Sequence, residues 1–213
     1  MAVVLVDVDG TLVGAPSCER RFVGELFRRG ILGPRQCAAA AWFAVLWAPR
    51  LGRHVLKKNK AYLAGLDVER VSSAAESFAR NTIVPKLRPP VLARIAMHRA
   101  RGDSVALLTG TPDFIARPLA AAIGVTHYTA TRCATADGRF TAAPPVVHPF
   151  DRDKPMLARL LCESLGSRLE DAIAYADSAH DLPLLCAAGR AVAIAPDARL
   201  RAAAEREGWE ILG

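Results

Sequence analysis

Four short stretches of this sequence carry side chains able to do chemistry, three of them directly after an apolar run. Val3-Val4-Leu5-Val6 leads into Asp7-Val8-Asp9-Gly10-Thr11-Leu12, where two carboxylates alternate along an extended segment before a glycine. Leu107-Leu108 leads into Thr109-Gly110-Thr111-Pro112, which supplies a hydroxyl and free backbone N–H groups beside a helix start, the raw material of an anion site. Lys154 lies in Asp151-Arg152-Asp153-Lys154-Pro155, and Tyr175-Ala176 leads into Asp177 and, four residues later, Asp181. Each stretch alone has an ordinary explanation: a turn rich in Asp and Gly, a helix cap, a solvated lysine, a capping aspartate.

The elements around them change that reading. Val3–Val6, Ser104–Leu108, Ile173–Tyr175 and Val192–Ile194 are short aliphatic runs, and helix-length segments (90–101, 155–165, 182–188) separate them. Buried parallel strands joined by crossover helices have this pattern, so an α/β doubly wound parallel sheet is predicted. Residues 126–135 and 138–142 fit a further strand and a hairpin around Asp137-Gly138. In such a sheet ligands bind beyond the carboxyl ends of the strands, where the four stretches fall.

The charge is uneven. Residues 14–90 hold 14 Lys+Arg against 5 Asp+Glu, while the remainder hold 14 against 16. Gly14 and Pro16 mark one boundary of the basic segment, and Pro85, Pro89 and Pro90 the other. Its apolar spacing predicts helices over 19–30, 34–48, 50–63 and 68–82, without strands.

With 52% hydrophobic and 23% charged residues the chain has a globular composition and not a disordered one. The run Cys37–Ala48 is the longest nearly uncharged one, well short of the roughly 20 residues that span a bilayer. A start without a basic region and with acid by position 7 predicts a cytoplasmic protein. Five scattered cysteines and five scattered histidines suggest neither a disulfide framework nor a zinc site.

Taken together and in this order, the four stretches resemble the haloacid dehalogenase-like superfamily, specifically its phosphoserine-phosphatase-like subgroup with a helical cap inserted after the first motif. Asp7 to Leu12 matches the first family motif, Thr109-Gly110 the second, Lys154 the third, and Asp177 with Asp181 the fourth, so the resemblance spans nearly the whole chain. It implies a Rossmann-like core made of residues 1–13 and 91–213, an all-α cap over 14–90, and a Mg²⁺-dependent phosphatase acting on a small-molecule phosphate monoester. In the family pattern Asp7 is the nucleophile that forms an aspartyl-phosphate and Asp9 the general acid/base. Thr109, the Gly110 N–H and Lys154 hold the phosphoryl group. Mg²⁺ is bound by the side chains of Asp7 and Asp177 and the backbone carbonyl of Asp9, and Asp181 steadies Lys154 or the metal's water ligand. The presence of Asp9 disfavours the dehalogenase branch, which lacks that residue.

The resemblance is weaker on substrate. Phosphoserine phosphatases typically carry a glutamate nine residues after the nucleophile; here that position is Pro16, and Glu19 lies three residues further on, out of register. Phosphoserine therefore ranks behind other small esters. Lys58, Lys60 and Tyr62 are the cap's candidate substrate contacts, with a solvated basic helix face as the plainer reading. Trp42, Phe43, Leu46 and Trp47, followed by Arg50, Arg53, Lys57 and Lys58, fit a buried cap core, or else a helix lying on a membrane surface. That second reading would make the substrate a phospholipid phosphate. A phosphotransferase is a neighbouring alternative. A non-enzymatic nucleic-acid module is motivated by a pI near 9.5 but has no use for carboxylates at strand ends, so no nucleic-acid partner is expected.

Overall fold

The computed structural model describes residues 1–213. Six parallel strands form one sheet: β1 (Val3–Val6), β2 (Ser104–Pro112), β3 (His127–Thr131), β6 (Ile173–Ala176), β7 (Arg190–Ile194) and β8 (Glu210–Leu212), in the order β3-β2-β1-β6-β7-β8. A separate antiparallel pair, β4 (Thr135–Ala136) and β5 (Arg139–Phe140), turns at Asp137-Gly138, both with positive φ (48° and 72°) as a tight hairpin requires. The helices are α1 (Cys18–Arg28), α2 (Pro34–Leu51), α3 (Val55–Lys58), α4 (Val68–Phe78), α5 (Pro89–Ala100), α6 (Asp113–Ala122), α7 (Asp153–Ser164), α8 (Leu182–Ala187) and α9 (Ala198–Glu207).

β1 explains the layering. All four of its residues are buried, and they alternate between two cores. Val4 and Val6 point to one side, toward Phe22, Leu26, Phe78, Ile95, Ile115 and Leu119. Val3 and Leu5 point to the other, toward Leu161, Cys162, Leu184, Leu185 and Leu200. Each such side chain contributes about 1.5–3 kcal/mol by leaving water, so the strand is held from both faces. The first core runs on into the helices between β1 and β2 through Phe22, whose ring lies 5.1 Å from Phe78 and 5.7 Å from Phe114.

Several expected elements differ in detail. β2 does not stop at Leu108 but continues through Thr109-Gly110-Thr111 to Pro112, with a register shift against β3 after Leu108. Thr109 is therefore part of an irregular strand end, and the N-cap of α6 is Pro112, without a side-chain cap. The helix expected over 50–63 is broken. α2 carries Pro49 and runs to Leu51, Gly52 (φ 50°) ends it, and only α3 and two single 3₁₀ turns follow. α9 and β8, which carry no strong periodic signal, close the sheet edge. No helix is long and apolar enough to cross a membrane.

Exposure overturns one expectation. Of the four large apolar residues assigned to a buried core, only Phe43 is fully buried. Trp47 is half-buried, stacked 6.0 Å from Phe43, whereas Trp42 is 65% and Leu46 53% exposed. The apolar residues of α2 therefore split between two faces: Phe43 and Trp47 turn toward the chain's own core, Trp42 and Leu46 away from it.

Candidate active site

Loops after three adjacent strands meet the start of α7 around a cavity of about 310 Å³. Asp7 leaves β1 with its N–H bonded to the Tyr175 carbonyl of β6 (3.1 Å), which anchors the residue between two strands. Asp177 follows β6, and Lys154 occupies the first turn of α7. The cavity is lined by Asp7, Asp9, Thr109, Gly110, Lys154, Asp177 and Asp181, so the core residues singled out in the sequence come together. Ala15, Ser17, Glu19, Lys57 and Lys60, from the helical segment, wall its other side.

Lys154 is buried and bridges two carboxylates, with Nζ 2.9 Å from Asp7 Oδ1 and 2.8 Å from Asp181 Oδ1. Burial works against its charge, but Asp181 and Asp7 outweigh that and hold the ammonium above its ordinary pKa. Burial pushes Asp7 up to about 7, with Lys154 opposing and Asp181 and Asp177 adding to the rise. Asp177 is pushed up to about 6, first by burial and then by Asp181, while the Thr11 hydroxyl, donating at 3.2 Å, works the other way.

Three carboxylates against one lysine leave uncompensated negative charge. Oxygens of Asp7, Asp177 and Asp181 lie within 4.8 Å of one another. The donors are all hard oxygens, with no thiolate or imidazole among them, which suits a small divalent cation such as Mg²⁺. Lys154 engages one oxygen each of Asp7 and Asp181, so Asp177 is the carboxylate of the three that the lysine leaves free.

Asp9 stands apart from this group. Its Oδ1 accepts from the Cys18 N–H (2.6 Å) at the start of α1, and its Oδ2 from the Thr111 hydroxyl (2.8 Å). Thr111 in turn accepts from the Thr109 hydroxyl (3.1 Å), whose oxygen accepts from the Thr111 N–H (3.1 Å). The bulged end of β2 thus forms a short chain of hydroxyls that aims the Asp9 carboxylate. Thr111 was legible only as a neighbour in Thr-Gly-Thr-Pro.

The candidate residues of the helical segment separate. Lys60 is 4% exposed and pairs with Glu19 through both oxygens (2.7 and 2.5 Å), and the Tyr62 hydroxyl donates to Glu19 Oε1 (2.7 Å). A solvated basic face describes neither residue. Burial, and then the Glu19 charge, hold the Tyr62 phenol well above its usual pKa. Lys58 lies outside the main cavity, 3.4 Å from Asp153. Glu19, set aside by its spacing from Asp7, does line the cavity, because the Asp9–Cys18 bond brings the first turn of α1 against the loop after β1.

Two further residues gave no sequence signal. His148 is buried against Gly110, and its Nδ1 lies 2.8 Å from the Thr131 hydroxyl, which donates to the Gly110 carbonyl at 2.6 Å. Nδ1 is therefore the protonated nitrogen, and burial followed by nearby Lys60, Lys58 and Lys57 pushes the ring down to about 3. Phe150 packs between His148 and His180, with ring centroids 5.6 and 4.9 Å away, and Lys57 sits over its face at 5.4 Å.

Residues 4–185 match the haloacid dehalogenase-like hydrolase family. A phosphoserine phosphatase of Mycobacterium tuberculosis, SerB1, is 30% identical over 99% of this chain and 70% of its own length. The histidinol-phosphatase of Neisseria meningitidis is 29% identical over 74% of this chain and 72% of its own. A crystal structure of a Bordetella pertussis protein of unknown function superposes with a TM-score of 0.72 at 28% identity, covering 100% of this chain and 99% of that one. A phospho-aspartyl intermediate analogue of phosphoserine phosphatase shares the fold, with a TM-score of 0.61 at 21% identity over 99% of this chain and 92% of that one. With its motifs converging at the carboxyl ends of a parallel sheet, the chain belongs to the haloacid dehalogenase-like hydrolase family.

Proposed function

We propose that the protein is a Mg²⁺-dependent phosphatase that hydrolyses a small phosphate monoester through an aspartyl-phosphate on Asp7. One observation carries the reading: a buried carboxylate, Asp7, touches Lys154 and faces the same cavity as a second, independently aimed carboxylate two residues on, Asp9. The names of the mycobacterial and neisserial relatives support the reaction class.

A phosphate dianion approaches a carboxylate only where positive charge offsets the repulsion. Lys154 supplies one such charge. Mg²⁺, held by Asp7, Asp177 and the Asp9 carbonyl, supplies the rest when bound. An Asp7 oxygen attacks phosphorus in line, the bond from phosphorus to the ester oxygen breaks, and Asp9 donates its proton to that departing oxygen. Water then attacks the phosphoryl group on Asp7, Asp9 takes the water's proton, and phosphate and free Asp7 result. Lys154 opposes the rise in the Asp7 pKa that burial causes, and so favours the ionised form needed for attack. The chain of hydroxyls from Thr109 and Thr111 keeps Asp9 pointed at the leaving oxygen, and Gly110 N–H lies beside the phosphoryl group.

In this reading residues 14–90 act as a helical cap that covers the cavity and excludes water. The Glu19–Lys60 pair offers the leaving group both signs of charge, which keeps amino-bearing esters such as phosphoserine and histidinol phosphate in the substrate panel. The test is phosphate release from a panel of sugar, nucleotide, amino-acid and lipid phosphates with Mg²⁺ or with EDTA, alongside Asp7→Asn. Turnover that needs Mg²⁺ and vanishes in Asp7→Asn is expected; turnover that survives the substitution would remove Asp7 as nucleophile.

A further inference from the structure

The outward face of α2 has no use in the reaction just described. Trp42, Val45 and Leu46 are 65%, 68% and 53% exposed, and Ala38 and Pro49 extend the same stripe at helical spacing. Contiguous exposed apolar residues on one helix face mark a surface that meets something. No element of the chain covers it.

The charges around the stripe say what kind of partner fits. From residue 26 to residue 66 there is no Asp or Glu, while eight Lys and Arg occur. Some of these are neutralised from elsewhere: Arg28 and Arg29 by Glu25, Arg53 by Asp151, Lys58 by Asp153, Lys60 by Glu19. Arg35 and Arg50, at the two ends of α2, have no acidic partner, and Arg50 lies along Trp47 with its guanidinium 5.5 Å from the ring. An apolar stripe with a tryptophan, bounded by unpaired arginines and no acid, complements a surface that is apolar just below and anionic on top. A second copy of the chain is the poorer fit, because pairing the two stripes would bring arginines against arginines. The helix also falls short of crossing a bilayer, so it would lie in the plane of the surface.

We propose that α2 docks its Trp42–Val45–Leu46 face on an anionic lipid surface. The proposal stands on exposure and charge and does not depend on the reaction assigned to the cavity. Full-length protein is sedimented with vesicles of phosphatidylcholine alone and of roughly 7:3 phosphatidylcholine to phosphatidylglycerol, at low salt and at about 0.5 M salt. Binding to the anionic vesicles only, lost at high salt, is expected. The double variant Trp42→Ser/Leu46→Ser should lower the binding constant by about tenfold or more, since it removes the inserted apolar area. Arg35→Gln and Arg50→Gln should each lower it about fivefold. Both positions of the double variant are exposed, and an unchanged thermal unfolding midpoint shows that the fold is intact. No binding at low salt would overturn the proposal, as would equal binding by the double variant. A dimer in light scattering that Trp42→Ser/Leu46→Ser turns into a monomer would assign the face to a second copy instead.

Discussion

Gly10 and Asp177 stand so close that the backbone of one fixes the side chain of the other. A Cβ on Gly10 would lie 1.9 Å from Asp177 Oδ2, and its φ of 91° is one that side chains other than hydrogen resist. Together with the Thr11–Asp177 hydrogen bond, this contact locks the loop after β1 to the loop after β6. Gly10→Ala should therefore push the Asp177 carboxylate out of place, lower kcat/KM by about 10²-fold and weaken Mg²⁺ binding. Steady-state kinetics across a Mg²⁺ titration would show both effects, and an alanine variant with unchanged Mg²⁺ dependence would argue against Asp177 as a ligand.

Lys154 is the only cation in direct contact with Asp7 and Asp181. Lys154→Met leaves two buried carboxylates facing each other, a defect of about 3–5 kcal/mol when both are ionised. Because Asp7 titrates near 7, the defect should be smaller at acid pH, where one proton relieves the repulsion. Urea denaturation of the variant at about pH 5 and pH 8 checks this, with the larger loss expected at the higher pH.

Proton release should accompany Mg²⁺ binding. Burial raises Asp7 from 3.8 to about 7 and Asp177 from 3.8 to about 6, so the metal-free fold retains protons that the unfolded chain has already lost. Their contribution to stability is complete below about 3.8 and is lost as pH rises through 6 and 7. A cation needs the ionised carboxylates, so Mg²⁺ affinity should climb with pH up to about 7 and then level off. Calorimetry at about pH 6 in two buffers of different ionisation enthalpy should report released protons, and the same comparison at about pH 8.5 should report almost none.

Asp9→Asn separates acid–base work from nucleophilic attack. The amide can keep the Cys18 N–H contact and accommodate Thr111, whose hydroxyl can reverse, so folding and Mg²⁺ binding should persist. Turnover of an alkyl phosphate should fall by about 10²–10⁴-fold. An aryl phosphate with a good leaving group needs no proton donor in the first step, so its aryl alcohol should appear as a stoichiometric burst before a slow steady state. Rapid-mixing absorbance would detect the burst, and its absence would count against Asp9 as the base of the second step.

The placement of the candidate residues was legible wherever they sit at the end of a strand buried on both faces. Val3–Val6 can only be such a strand, so Asp7 and Asp9 follow from it, and the same holds for Asp177 after Ile173–Ala176. Residues placed by distant partners were not legible. His148 owes its position to Thr131, seventeen residues earlier, and nothing in its own neighbourhood signals that. Glu19 was misjudged because spacing counts residues along the chain, whereas the Asp9–Cys18 bond shortens the path through space. The outward turn of Trp42 was hidden for a different reason: helical periodicity shows that a stripe exists but not whether another element lies against it.

The place of β1 in the sheet governs when the protein can begin to work. Val3–Val6 is hydrogen-bonded along one edge to Ser104–Leu107 and along the other to Ile173–Tyr175. As the chain leaves the ribosome, β1 appears long before either neighbour. It gains its first edge only after about half the chain has followed it, and its second only when β6 is out. Asp7, Lys154 and Asp177 therefore meet only once β6 has been made, and a truncated or stalled chain ending before β6 carries Asp7 without Asp177.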